Sequence, residues 1–366
     1  MKILQITHYG SLTNYGALLQ AYALQRALTE LGHDVTLLRA SFSFHNILKK
    51  WYKNPLRVVK AWNRRRAELE AEKKHPRKFS EFASRYMKLS ELEFHSHKDL
   101  IKAGLTADAL VTGSDQVWSS KKPSSAYFLE FGPVAALRFS YAASIGSKAC
   151  MDAKYLSEFK KKTRNFSGIS VREKEALEQC FSAGINTAIQ VPDPVMLFSP
   201  EQWRQQLNLS TTAPERRYCL IYTVGHNRIS VDSKLAEYCR KKGIQIIAVP
   251  AQHHTEVNAK GVQCVYPTIP EFLSLIDNAD FVVTDSFHGT AFSLLLNTPF
   301  VVIPKNSHDA RFITLDEYFN ISGAYFQGDI DSCLAFNFDF DAINEKINAL
   351  RSKGWDFLRR TTGVKK

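Results

Sequence analysis

The sequence predicts an α/β protein made of two Rossmann-like domains. Three observations carry this expectation. Residues 2–40 alternate an apolar strand, a loop, a helix and a second strand: KILQIT, HYGSLTNYG, ALLQAYALQRALTELG, HDVTLLRA. The same rhythm returns after residue 217. Between the two stretches Pro192 and Pro194 break the chain, and 366 residues suit two domains of roughly 150–200 residues better than one core.

The first helical pattern stops at Gly32, where a helix end favours glycine. Residues 41–100 then interrupt the alternation with a basic, helix-rich insertion in the first domain. Strands resume at ADALVTGSD (107–115), RFSYAASIG (138–146), GISVRE (168–173) and GINTAIQVPDPVML (184–197), which puts a boundary near residue 199. In the second half CLIYTVG, IQIIAVP, DFVVTDS and PFVVIP read as strands. VDSKLAEYCRKKG, TIPEFLSLIDNA and FHGTAFSLLLN read as the helices between them, each stopped by Gly, Asn or Pro. FDAINEKINALRSKGWDFLRR closes the chain as an amphipathic helix. The expected division is 1–199, 200–340, and a C-terminal helix and tail at 341–366.

Composition narrows the class. The six cysteines form no CxxC pair, so neither a zinc site nor a disulfide framework is expected, and reduced thiols in the cytoplasm are. No secretory leader is legible at MKILQITHYG, and no run approaches the ~20 apolar residues of a membrane span. The formal charge is +12, and between Lys49 and Lys78 twelve Lys/Arg face three Glu, so most of it is local. Lys49, Lys50, Trp51, Tyr52, Trp62, Arg64, Arg65 and Arg66 combine cations with aromatics, which suits an anionic membrane surface. A merely solvated helical face is the next reading, and nucleic acid is the least favoured partner.

In open α/β sheets ligands bind beyond the carboxyl ends of the strands, so the loops there carry the candidates. In TDSFHGTAFSLLL, Ser286 or Asp285 is placed to cap a helix that begins near His288. The free N–H groups of that first turn favour an anion, and Gly289 and Thr290 are expected to leave it room. His288 then either donates to the anion or bonds a backbone carbonyl, and the strand-end context favours the first. Asn14, Tyr15 and Gly16 open the first helix in the same way. Gly113, Ser114 and Asp115 end a strand, with Asp115 able to take a proton from a sugar hydroxyl or to cap the next turn. Arg172 has a guanidinium fork for phosphate or carboxylate, or else pairs with Glu173 or Asp193. His253 and His254 lack partners at metal spacing, and no G-x-G-x-x-G, P-loop or G-x-S-x-G motif is present.

Taken in order, NYGALLQAYAL, GSDQVW, SYAASIG, SVRE, VPDPVML and TDSFHGTAFSLLLNTPFVVI resemble the polysaccharide pyruvyl transferase family. The likeness covers about residues 3–37, 107–197 and 217–315 and leaves out 41–100. It implies a glycosyltransferase-B-like (GT-B-like) pair of domains, with the acceptor expected on the first and the donor on the second. It further implies transfer of the enolpyruvyl unit of phosphoenolpyruvate to a sugar of a cell-surface polysaccharide, such as an exopolysaccharide or capsule, forming a pyruvate ketal. The sugar is often carried on a polyprenyl pyrophosphate lipid. The family's histidine falls on His288 and its arginine on Arg172.

On this view the two helix starts, Arg172 and Arg311 hold phosphoenolpyruvate, His288 acts as acid, and Asp115 serves the acceptor hydroxyl. The acid role requires the bound dianion to keep the imidazole protonated, since a helix N-terminus acts in the opposite sense. No metal or other cofactor is expected. The expected location is cytoplasmic, peripheral to the inner face of the membrane. The rival readings are a nucleotide-sugar-dependent glycosyltransferase and a membrane- or RNA-bound adaptor without activity.

Overall fold

The computed structural model describes residues 1–9, 14–40, 42, 59, 62–63, 66, 70, 73, 78–119, 124–146, 152–210, 215–224, 228–229, 233–250, 256–257, 261–303 and 309–364. In the first half, β1 (Lys2–Ile6), β2 (Asp34–Ala40), β3 (Leu89–Phe94), β4 (Ala109–Thr112) and β5 (Leu137–Ser140) form one parallel sheet in the order β3-β2-β1-β4-β5. A short parallel pair, β6 (Ser170–Val171) and β7 (Ile189–Gln190), continues beside it through the bridges Phe139–Gly168 and Ala143–Val171. Helices α1 (Tyr15–Glu30), α2 (Phe79–Tyr86), α3 (His97–Lys102), α4 (Ala153–Thr163) and α5 (Lys174–Ser182) belong to this half.

The second half repeats the design. Strands β8 (Tyr218–Thr223), β10 (Gln245–Pro250), β12 (Val262–Cys264), β13 (Phe281–Thr284) and β14 (Phe300–Val302) are ordered β12-β10-β8-β13-β14, again all parallel. A small separate pair joins β9 (Arg228–Ile229) to β11 (Glu256–Val257). The helices are α6 (Pro200–Leu207), α7 (Ser233–Lys242), α8 (Ile269–Asp277), α9 (Phe287–Leu295), α10 (Ala310–Phe319), α11 (Ile330–Leu334) and α12 (Phe340–Thr362). Central strands such as β4, β8 and β13 are buried throughout, which is why they read as unbroken apolar runs.

Residues 41–100 are not a simple interruption. Their last third supplies α2 and β3, and β3 pairs with β2 at Leu37–Leu89 and Ala40–Phe94, completing the first sheet. LSELEF hid this strand because it is an edge: Glu91, Leu92 and Glu93 are exposed, so no apolar run marks it. Of the basic stretch, Lys49, Lys50, Trp51, Tyr52, Arg64 and Arg65 lie outside the described residues. Trp62 is 61% exposed, and Arg66 pairs with Glu70 at 3.0 Å on the surface. Among the described residues no helix is long and apolar enough to cross a membrane.

The halves share one core. Helix α1 is buried along most of its length, and Tyr15 reaches across the junction. Its ring stacks on Phe272 of α8 at 4.1 Å and its hydroxyl donates to the Pro267 carbonyl at 2.6 Å. Trp203 of α6 packs near Tyr22 of α1 and Phe292 of α9. The closing helix α12, expected as an amphipathic helix, returns to the first half. There Trp355 donates to the Leu197 carbonyl at 2.9 Å, and Phe357 lies near Tyr141.

Candidate active site

The two helix starts anticipated from sequence do meet. Asn14 caps α1 by accepting from the Ala17 N–H at 3.1 Å, and Ser286 caps α9 by accepting from the Gly289 N–H at 3.2 Å. His288, in the first turn of α9, lies directly over Gly16 in the first turn of α1. A Cβ built on Gly16 would stand 2.2 Å from His288 Nδ1, so only glycine admits this approach. Alanine at position 16 would favour the helix by about 1 kcal/mol. Gly16→Ala is nonetheless expected to push the imidazole out of place and lower turnover at least tenfold while the circular dichroism spectrum stays unchanged.

Behind the imidazole stands Asp193, whose side chain is wholly buried. Its Oδ2 accepts from Ser114 Oγ at 2.9 Å and from Arg172 Nη1 at 2.8 Å, and its Oδ1 accepts from the Val195 N–H at 3.1 Å. His288 Nε2 lies 3.5 Å from Oδ2, too long for a good hydrogen bond. Burial pushes the Asp193 carboxyl up, but His288 and Arg172 outweigh it and hold the group well below the usual carboxylate range. The Asp193 oxygens fix Arg172 and Ser114 rather than reach for solvent.

Arg172 is 3% exposed and its fork is already engaged. Nε donates to Glu173 Oε1 at 2.9 Å, and Nη1 reaches Ser114 Oγ at 3.3 Å besides Asp193. The ring of Phe287 covers the guanidinium at 4.2 Å. Burial acts to lower its pKa, and the carboxylates of Glu173, Asp193 and Asp115 reverse that and raise it. The ion-pair reading of Arg172 thus describes its resting geometry. A narrow crevice beside it is lined by Phe287, Arg311, Thr314 and Tyr318. Arg311 is also paired, donating from Nε and Nη2 to the two Asp309 oxygens at 2.9 and 2.6 Å.

Other candidates serve packing. The space over Gly289 is filled by Thr284 and Tyr222: a Cβ there would lie 2.5 Å from Thr284 Oγ1. Thr290 Oγ1 donates to the Ser286 carbonyl at 3.1 Å within the helix and is fully buried. The expectation that these two residues leave room for a ligand does not hold, because α9 must press closely on β13. Tyr15 is likewise wholly buried in the junction. Asp115 sits after β4 in the left-handed region, φ 73°, with Oδ1 accepting from the Gln116 N–H at 2.8 Å.

A larger depression of about 570 Å³ lies on the outside of the first half, near Lys161, Lys162 and Arg164. Its Arg138 is spent on the carbonyls of Leu129, Phe131, Pro133, Val134 and Ala136, so size alone does not locate the chemistry. Among the described residues no cluster is fit to hold a metal ion; His253 and His254 lie outside them. Cys180, Cys219, Cys239 and Cys333 are free thiols, and Cys150 lies outside the described residues.

Two solved structures share this architecture. The UDP-GlcNAc 2-epimerase of Methanocaldococcus jannaschii, solved with UDP-GlcNAc and UDP, is 14% identical, covers 99% of each chain and has a TM-score of 0.52. The S. aureus protein MnaA, solved with UDP, is 9% identical, covers 98% of this chain and 90% of its own, and has a TM-score of 0.50. They establish the GT-B-like fold, two Rossmann-like domains facing each other. No curated protein matches significantly. The profile of the family described as polysaccharide pyruvyl transferase matches residues 14–307, a span that includes Gly16, Asp115, Arg172, Asp193 and His288. The chain belongs to the polysaccharide pyruvyl transferase family and is a transferase of polysaccharide biosynthesis.

Proposed function

We propose that the protein transfers the enolpyruvyl unit of phosphoenolpyruvate to a sugar of a cell-surface polysaccharide or its lipid-linked precursor, releasing phosphate and leaving a pyruvate ketal. One observation carries this reading. An imidazole, backed by a buried carboxylate, stands where the first turns of α1 and α9 converge between the two halves. Phosphoenolpyruvate has about three negative charges at neutral pH and needs N–H donors and cations. Helix starts supply the first, and Arg172 and Arg311 the second once a stronger anion competes for their forks. His288 is suited to deliver a proton to the methylene carbon or to assist phosphate departure, with Asp193 orienting the ring. Asp115 stands on the acceptor side. The basic stretch around Trp62 would bring the enzyme to a lipid-linked sugar at the inner face of the membrane.

The test is phosphate release from phosphoenolpyruvate with a panel of lipid-linked and pyrophosphate-linked sugars. Release with at least one acceptor is expected. A rise in melting temperature with UDP or GDP, and none with phosphoenolpyruvate, would favour a nucleotide-sugar-dependent glycosyltransferase, which the UDP-bound structural neighbours keep in view. Binding to anionic vesicles, weakening as salt rises, is expected of the basic stretch.

A further inference from the structure

The depression on the outside of the first half lies apart from the junction. Leu137 opens β5, and Arg164 and Asn165 come just before β6, so it sits at the amino ends of the strands. Gly16 and His288 meet beyond the carboxyl ends, at the opposite end of the sheet. The volume of about 570 Å³ falls within the ~300–1,000 Å³ of small-molecule sites. One wall is preset. Arg138 donates to five carbonyls between Leu129 and Ala136, at 2.8–3.2 Å, which fixes that loop and leaves Val134 97% exposed on the rim. Lys162 is also committed. Its Nζ donates to Ser125 Oγ at 3.1 Å, lies 3.9 Å from Glu130 and sits 4.9 Å over the Phe128 ring. Lys161, in the last turn of α4, and Arg164, just beyond it, are different. Both are exposed, and neither meets a carboxylate at ion-pair distance among the described residues.

The lining mixes signs, and the mixture selects the ligand. Lys161 and Arg164 attract a carboxylate. Glu130 and Glu158, on the same lining, repel a dense polyanion such as a pyrophosphate or a sheet of lipid headgroups. They accept hydrogen bonds from hydroxyls instead, and the Asn165 amide both donates and accepts. Val134 offers an apolar edge to the C–H face of a ring. A hydroxyl-rich ring with one isolated carboxylate meets all of these demands. We propose that the depression is a second carbohydrate site, which takes a carboxylate-bearing unit of a glycan chain. This rests on the pyruvyl transfer read above, in which each turnover leaves a carboxylate on the chain. A finished unit held here tethers the polymer while another unit of the same chain reaches the junction, and the chain itself spans the length of the sheet between them.

The test is titration calorimetry on the full chain without phosphoenolpyruvate. The probe is the trimer of galacturonic acid, and a neutral galactose trimer is its uncharged counterpart. The acidic trimer is expected to bind with a Kd below about 1 mM, and the neutral one about tenfold more weakly. Lys161→Ala/Arg164→Ala is expected to weaken the acidic trimer about tenfold, the loss of charge-assisted hydrogen bonds. Arg240→Ala/Lys242→Ala removes as much charge from the exposed end of α7 and should leave binding unchanged. A loss below about threefold in the first pair, the size of a surface charge effect, overturns the proposal, and so does an equal loss in both pairs. Displacement of the trimer by an equal concentration of inorganic phosphate overturns it by marking a plain anion site. A larger loss of binding to anionic vesicles than to the trimer in Lys161→Ala/Arg164→Ala overturns it in favour of a lipid contact. No donor is present in this measurement, so a failure of pyruvyl transfer would show only in the separate phosphate-release assay.

Discussion

His288→Ala lowers kcat by about 10²–10⁴-fold, the range expected when a positioned acid is lost, and leaves the fold intact. The side chain is 10% exposed and makes no close hydrogen bond, so its removal frees few partners. Asp193 keeps Ser114, Arg172 and the Val195 N–H, and Gly16 gains open space. The effect should therefore be far larger in phosphate release than in the melting curve, where losing the buried imidazole beside Asp193 costs a modest shift. Full activity in a folded His288→Ala protein would remove the imidazole from the chemistry and with it the reading of this junction as an active site.

Arg172→Ala destabilises the protein by about 3–5 kcal/mol, the cost of breaking a buried ion pair by removing one partner. The carboxylates of Glu173 and Asp193, 1% and 0% exposed, would share a closed space without the guanidinium. Urea unfolding without substrate is the decisive measurement, since a purely ligand-binding arginine would leave that curve unmoved. The pH dependence follows from Asp193, whose folded pKa is depressed. Its stabilising contribution is complete above the unfolded carboxylate value near 4 and is lost as the pH falls through the folded value. The gap between wild type and Arg172→Ala should thus be widest above about pH 4 and shrink below it.

The parts legible in the sequence were those with local causes. The run and period of ALLQAYALQRALTELG end where Gly32 takes φ 83°, and FVVT and CLIYT are buried on both faces, so their composition alone marks them. Ser286 and Asn14 announce their caps by residue type and place. Four strands escaped: β3 and β12 are sheet edges, the first carrying Glu91 and Glu93 and the second three partly exposed residues, and β9 and β11 are two residues each. At the site, the motif containing His288 was visible, but Asp193 was seen only as a partner for Arg172. Its signal was the Pro-Asp-Pro context, in which the carboxylate caps the turn Pro194–Leu197 and is thereby aimed at the Ser114 and Arg172 side chains. The role of Gly16 was unreadable, because it depends on a residue 272 positions away. Gly289 misled for a related reason: a small residue makes room, and the sequence does not tell whether a ligand or a strand fills it.

Tyr15 in its socket of Phe272 and Pro267, with α12 folded back over Leu197 and Tyr141, has a bearing on how such enzymes diversify. The two halves are not interchangeable cassettes. A chimera that exchanged one portion for that of a relative would have to bring a matching seam of aromatic residues with it. New acceptor preferences are therefore more easily reached by altering the connections at the strand ends than by shuffling whole lobes.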